Sequence, residues 1–264
     1  MILKSRHNPI ERLDFIIAGA QKAGTSALAD FLETHPRIQM PHKDELHRTV
    51  QPARHFFDDE ERFAKREVDY SPLQRGCVRK RPSNLLGSCT PIYIYWKTAL
   101  ERIRNYSERV KLIILLRDPS SRAFSHWNMQ RDRNLESLDF LDAVRAEKQR
   151  AEEVRPFQLR KYSYVDRGFY GDQMERVFRV FRREQVQVIK FEDFRRNPRR
   201  TLDETCRFLG IELLCKIDNR ENNSTPYARK MTRSERQTLV DLYRADIERL
   251  EELLGWDCSD WKKV

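Results

Sequence analysis

Hydrophobic and polar positions along the chain alternate between two kinds of segment. Continuous apolar runs stand at 15–18 (FIIA) and within 111–116 (KLIILL), the pattern of parallel strands covered on both faces. Shorter strands are predicted at 37–40, at 85–91, where the run ends in a turn, and at 185–190, where QVQVIK alternates. Between them lie segments of helical period, beginning at Ser26 and Ser120 and spanning 58–65, 93–109, 137–155, 172–183 and 233–254. In 93–109, Leu100 and Ile103 share one face; in 137–155, Phe140, Leu141 and Val144 face inward and many charges outward. The last helix carries a stripe of Leu239, Leu242, Tyr243, Ile247, Leu250 and Leu254. Another helix is bounded by Asn197 as N-cap, Pro198 at its first position and Gly210 just past its end. There is no internal repeat or low-complexity linker. The sequence therefore predicts one α/β domain over 13–264, a central parallel sheet flanked by helices, behind a polar leader at 1–12.

The chemistry gathers where the first strand ends. Gly19-Ala20-Gln21-Lys22-Ala23-Gly24-Thr25 follows the first apolar run, and Ser26-Ala27-Leu28 opens a helix. Backbone N–H groups at a helix start, together with its dipole, favour an anion, so strand, loop and helix form a P-loop-like phosphate cradle. The loop has the glycine spacing of GxxxxGK[ST], but Thr25 follows Gly24 and the lysine lies inside the loop at Lys22. A nucleoside-triphosphate site needs that lysine after the glycine and a hydroxyl on magnesium. Here the loop supplies its own cation, with Thr25 and Ser26 as hydroxyl donors. A second anion pocket is predicted after the 111–116 strand. There Arg117-Asp118-Pro119 leads into a helix with Pro119 in its first turn and Ser125 about two turns along. Arg117 and Ser125 would then lie at the sheet edge where open α/β folds bind ligands. Two such sites suggest a nucleotide phosphorylated at two places.

Composition narrows the picture only a little. The chain has 264 residues, 35% charged and 39% hydrophobic, with a formal net charge of +10. That excess suits an anionic ligand, but the arginines are spread along the chain, and no basic-aromatic platform argues for nucleic acid. Five cysteines without a CxxC or a His/Cys cluster argue against structural zinc and a full disulfide framework. No stretch approaches the ~18 apolar residues of a membrane span, and the N-terminus has no signal-peptide apolar region. A cytoplasmic protein without a metal is expected.

With these motifs in hand, the chain resembles the sulfotransferases that use 3′-phosphoadenosine 5′-phosphosulfate (PAPS), above all the heparan-sulfate-type and small bacterial members. FIIAGAQKAGTSAL is similar to their 5′-phosphosulfate loop and LLRDPSSRAFSHW to their 3′-phosphate motif. Thr90-Pro91-Ile92-Tyr93, Arg167-Gly168-Phe169-Tyr170, Phe191-Glu192-Asp193-Phe194 and Phe208-Leu209-Gly210 extend the match across nearly the whole chain. The resemblance implies that PAPS, or its product PAP, is held by Gln21, Lys22, Ala23, Gly24, Thr25, Ser26 and Ala27. Arg117, Ser125, Tyr170 and, from the loop before the last helix, Arg229 and Lys230 complete the set.

The family pattern K-E-x-H-F-F supplies a glutamate base and an assisting histidine. Here Glu45-Leu46-His47 fits its first half, while Phe56-Phe57 appears only after His55, as if RTVQPAR had been inserted. Glu45 is the expected base, and the histidine is either His47 or His55. Cys89 replaces the lysine that many relatives carry before the Thr/Ser-Pro pair, so that cation comes from elsewhere, Lys43 being a candidate, or is not needed. The implied activity is in-line transfer of a sulfuryl group from PAPS to a hydroxyl or amine of a carbohydrate or small-molecule acceptor. A P-loop kinase is the rival, but it needs GK[ST] and a magnesium-binding aspartate where this chain has Thr25 and Arg117. A nucleotide-binding member without catalysis is the other.

Overall fold

The computed structural model describes residues 12–40, 55–75, 81–214, 227 and 229–264. Its centre is β1 (Phe15–Gly19), all five residues of which are buried. The chain continues through α1 (Thr25–Glu33), β2 (Ile38–Gln39), α2 (Glu60–Phe63), α3 (Ser71–Arg75) and β3 (Leu85–Cys89). Next come α4 (Ala99–Tyr106), β4 (Lys111–Leu116), α5 (Pro119–Asp132) and α6 (Phe140–Glu153). A 3₁₀ turn at Asp166–Gly168 precedes α7 (Tyr170–Val180), and another at Arg183–Gln185 precedes β5 (Val186–Lys190). Then come α8 (Phe191–Arg196), α9 (Pro198–Leu209), α10 (Arg233–Leu254) and a last 3₁₀ segment at Ser259–Lys262.

The five strands lie in the order β2-β3-β1-β4-β5, and every pairing is parallel. This is the sheet the continuous apolar runs predict, because helices on both faces leave no polar side to alternate with. From β1 the chain goes to one side for β2 and β3, then crosses to the other for β4 and β5. The β1/β4 pair is therefore the topological switch point, with the loops after both strands opening at the same edge. Packing against β1 sets one residue type firmly. A Cβ on Gly87 would lie 2.1 Å from the ring of Phe15, so only glycine lets β3 approach this closely.

Helix ends follow local chemistry. Asn197 accepts the N–H of Arg200 at the start of α9, Pro198 occupies its first turn, and Gly210 closes it with φ 78°. Thr232 and Glu235 form a reciprocal capping box on α10. The helix expected over 93–109 begins only at Ala99. Tyr93, Ile94, Tyr95 and Trp96 are all buried, in consecutive turns that place every one of their side chains in the core. A helix would have turned some of them to solvent. Leu242 leaves the predicted stripe of α10 and is 47% exposed, whereas Leu239, Tyr243, Ile247 and Leu250 are buried.

Candidate active site

The loop after β1 is held to its neighbour strand and strained into a cradle. Ala20 N–H donates to the Leu115 carbonyl of β4 at 2.6 Å, and Ala23 N–H closes a turn onto Ala20 at 3.1 Å. Ala23 therefore spends its N–H inside the loop instead of offering it to an anion. Lys22 has φ 71°, in the left-handed region that non-glycine residues seldom enter, and Gly24 has φ 85°. Gly24 is the N-cap of α1 and gives no side-chain cap. The N–H groups of Gly24, Thr25, Ser26 and Ala27 are those an α-helix start leaves without an intrahelical partner. An uncapped helix start of this kind favours an anion, which makes this end of α1 the candidate phosphate cradle.

Arg117 meets this loop from the end of β4. Its Nη1 donates to the Lys22 carbonyl at 3.1 Å, and its guanidinium lies 5.1 Å from the ring centre of Phe191. Tyr170 is buried, and its hydroxyl donates to the Arg117 carbonyl at 2.9 Å. Tyr170 thus anchors Arg117 from behind. On α5, Asp118 accepts from Ser120 N–H at 3.0 Å and the Ser121 hydroxyl at 2.6 Å, and Ser125 is buried along the same helix. Arg236 of α10 also donates to Asp118, fixing the start of α5 from a third element.

The electrostatics of the loop are those of crowded cations. Burial, then the charges of Arg117 and Arg133, lower the Lys22 ammonium below the ordinary lysine range, with Asp132 opposing them. Arg133 and Asp132, at the end of α5, were not singled out from the sequence. Their spacing from Arg117 becomes informative only once the helix is laid along the loop. A lysine and an arginine at an uncapped helix start, with the charge of Arg133 added from the end of α5, suit a ligand with several negative charges. Among the described residues no group of three or more His, Cys, Asp or Glu is placed to hold a metal ion.

A second cluster extends from the phosphate loop. Arg167, fully buried, donates to the Gln21 side-chain oxygen and to the Arg160 carbonyl. The Arg160 side chain lies over the Trp96 ring at 4.5 Å and donates to Asp58. His55 donates from Nδ1 to the same Asp58 carboxylate at 2.9 Å. Burial alone would raise the Asp58 pKa, but the His55 hydrogen bond and the charges of His55 and Arg160 hold it below the usual range. His55 is therefore linked through Asp58, Arg160 and Arg167 to the phosphate loop. Glu45, His47 and Lys43 lie outside the described residues.

Arg229, Lys230 and Cys89 remain of the residues the sequence points to. Arg229 pairs with Glu235 at 2.6 Å and lies 5.2 and 5.1 Å from the ring centres of Phe124 and Trp127 on α5, while Lys230 is exposed. Cys89 ends β3 half-buried, its thiol 3.8 Å from the Thr25 carbonyl. A cavity of about 210 Å³ touches Arg117, Ser121, Phe191 and Arg195. A larger one of about 590 Å³ opens beside β5, between Lys190, Thr201 and Trp256, and contains none of the phosphate-loop residues. Size alone would point to the larger cavity. The converging charges and the switch point instead make the loop the candidate site.

Comparison with known proteins gives the family and the fold. The sulfotransferase domain model matches residues 12–235, and the chain belongs to that family. It is 27% identical over 219 residues to the human bifunctional heparan sulfate N-deacetylase/N-sulfotransferase 3, covering 78% of this chain and 23% of that protein. It is 24% identical over 215 residues to mouse heparan sulfate glucosamine 3-O-sulfotransferase 5, covering 78% and 56% respectively. This chain thus spans from about a quarter to about half the length of these relatives. The crystal structure of a sulfotransferase from Alicyclobacillus acidocaldarius superposes with a TM-score of 0.78 at 28% identity, over 96% of this chain and 100% of that one. The sulfotransferase domain of the curacin biosynthetic pathway shares the fold, with a TM-score of 0.51. No helix among the described residues is long and apolar enough to cross a membrane.

Proposed function

We propose that this protein transfers a sulfuryl group from PAPS to a hydroxyl or amine of a carbohydrate or small-molecule acceptor, without a metal. The observation that carries the reading is the meeting of Lys22 and Arg117 at the β1/β4 switch point, with 3.1 Å between the guanidinium and the Lys22 carbonyl. PAPS supplies the activated sulfuryl group; the chain supplies its placement. Lys22 and the N–H groups at the start of α1 neutralise the 5′-phosphate side, where charge grows as the donor bond breaks. Arg117 and Ser125 hold the 3′-phosphate, which distinguishes PAPS from ATP. By analogy with phosphoryl transfer the transition state is loose and in line, so positioning and electrostatics supply most of the acceleration.

Glu45 serves as the base that takes the acceptor proton, and His55, held by Asp58, assists it. The glycan relatives favour a carbohydrate acceptor. Replacement Glu45→Gln is expected to lower transfer from ³⁵S-labelled PAPS to a panel of desulfated heparan oligosaccharides and simple phenols by about 10²–10⁴-fold, the usual contribution of a general base. PAP affinity should stay unchanged in the same variant. Full transfer in Glu45→Gln together with its loss in His55→Ala would move the base to His55.

A further inference from the structure

The charged face predicted for α6 contains one carboxylate that is not on the surface. Glu147 is only 7% exposed. Its Oε2 accepts the N–H of Val165 at 2.7 Å, and its Oε1 accepts that of Asp166 at 2.8 Å. These are the two backbone donors that open the 3₁₀ turn Asp166–Gly168. The same turn carries Arg167, whose three nitrogens are all directed. Nε donates to the Ser163 hydroxyl at 2.7 Å, Nη2 to the Arg160 carbonyl and Nη1 to the Gln21 side chain. The guanidinium also lies 4.9 Å from the centre of the Tyr95 ring, and Tyr95 in turn donates to Asp166 at 2.7 Å. With its side-chain oxygen taken by Arg167, Gln21 keeps its NH₂ as the donor end within the phosphate loop.

We infer that Glu147 is a positioning residue for the nucleotide site: by gripping the two N–H groups at the head of this turn it aims Arg167, and Arg167 orients the Gln21 amide in the phosphate loop. This rests on the reading of that loop as the PAPS site. A carboxylate suits the task because it accepts two N–H bonds at once, whereas its protonated form turns an O–H toward one of them. The grip is thereby sensitive to proton uptake. Burial, and to a lesser degree the Asp166 charge, push the Glu147 carboxyl up to about 7 against the lowering effect of its two N–H donors and Arg122. The charged and titratable groups facing it are Arg122 from α5, Asp166 and Arg167 from the turn, and Tyr243 from α10. His126, the buried imidazole on α5, is kept neutral by burial and by Arg167, Arg122 and Lys22, so it does not gain charge in the same range. Burial drives Tyr243 far above it.

The test is an NMR titration of the ligand-free protein between pH 5.5 and 8.5. The backbone amides of Val165 and Asp166 and the side-chain NH₂ of Gln21 should shift together with one midpoint near 7. Glu147→Gln, which keeps one acceptor and turns an NH₂ toward the other N–H, should abolish that common transition. Titration of Val165 and Asp166 with Gln21 unmoved, or a transition that persists in Glu147→Gln, overturns the inference. Because no nucleotide is used, the titration decides even if PAP binding fails, and even if the variant is unstable the wild-type curve decides. In a PAP titration by calorimetry, wild-type affinity should weaken severalfold more than that of Glu147→Gln as pH falls through the transition. Equal pH profiles for the two proteins count against the inference.

Discussion

Lys22→Ala is expected to slow sulfuryl transfer by about 10²–10³-fold, the loss found when one preorganised donor to developing charge is removed, or roughly 2.7–4 kcal/mol. The lysine is fixed by a loop in which its own backbone is left-handed and its carbonyl is bonded to Arg117. On the proposed reading its ammonium faces the 5′-phosphate from a backbone that is already set before the ligand binds. Alanine keeps the backbone demand and removes only the ammonium, so stability should change little. The pH dependence supplies a further signature. Burial, Arg117 and Arg133 make the ligand-free lysine give up its proton more readily than an ordinary one. An anion binds the protonated form better, so PAP affinity should fall as pH rises through that lowered pKa. In Lys22→Ala the alkaline limb should disappear. A variant with an intact alkaline limb would assign it to another group.

Gly24→Ala should damage fold and site together. Its φ of 85° costs an alanine about 1–2 kcal/mol through left-handed backbone strain alone. A Cβ there also lies 2.7 Å from the ring of Phe191, which carries the Arg117 guanidinium on its face. A shift of the ring is expected to carry that arginine with it. The expected result is a lower urea midpoint with an unchanged slope, and PAP affinity reduced by at least tenfold. Unchanged affinity with only the stability loss would mean that Phe191 gives way without moving Arg117.

Much of this site was legible before any coordinates. Continuous apolar runs announce buried parallel strands, and the glycines and proline after them mark where the backbone must turn. That is why the two loops carrying Lys22 and Arg117 were placed at one edge of one sheet. Side chains that act across the fold were harder to read. Arg160 and Arg167 join the phosphate loop to His55 through contacts more than 100 residues apart in sequence, and no local period records them. Glu147 sits among exposed charges on an amphipathic helix, so its burial shows only when the 165–166 backbone arrives beside it. Tyr93–Trp96 misled for the opposite reason: an aromatic run looks helical locally, but each ring has its own place in the core. The first half of the K-E-x-H-F-F pattern lies outside the described residues, and its second half is the buried Phe56-Phe57 pair behind His55.

A thermal unfolding comparison with PAP, PAPS and Mg·ATP decides whether this chain is built for PAPS. At about 100 times its dissociation constant a ligand of the native state adds ~2.7 kcal/mol. For a chain of this size, about 2–4 °C per kcal/mol makes the rise in Tm easy to read. The expected result is a rise with PAP and with PAPS, none with Mg·ATP, and loss of the PAP effect in Arg117→Ala. A rise with Mg·ATP alone contradicts it and returns a phosphoryl-transfer enzyme to first place.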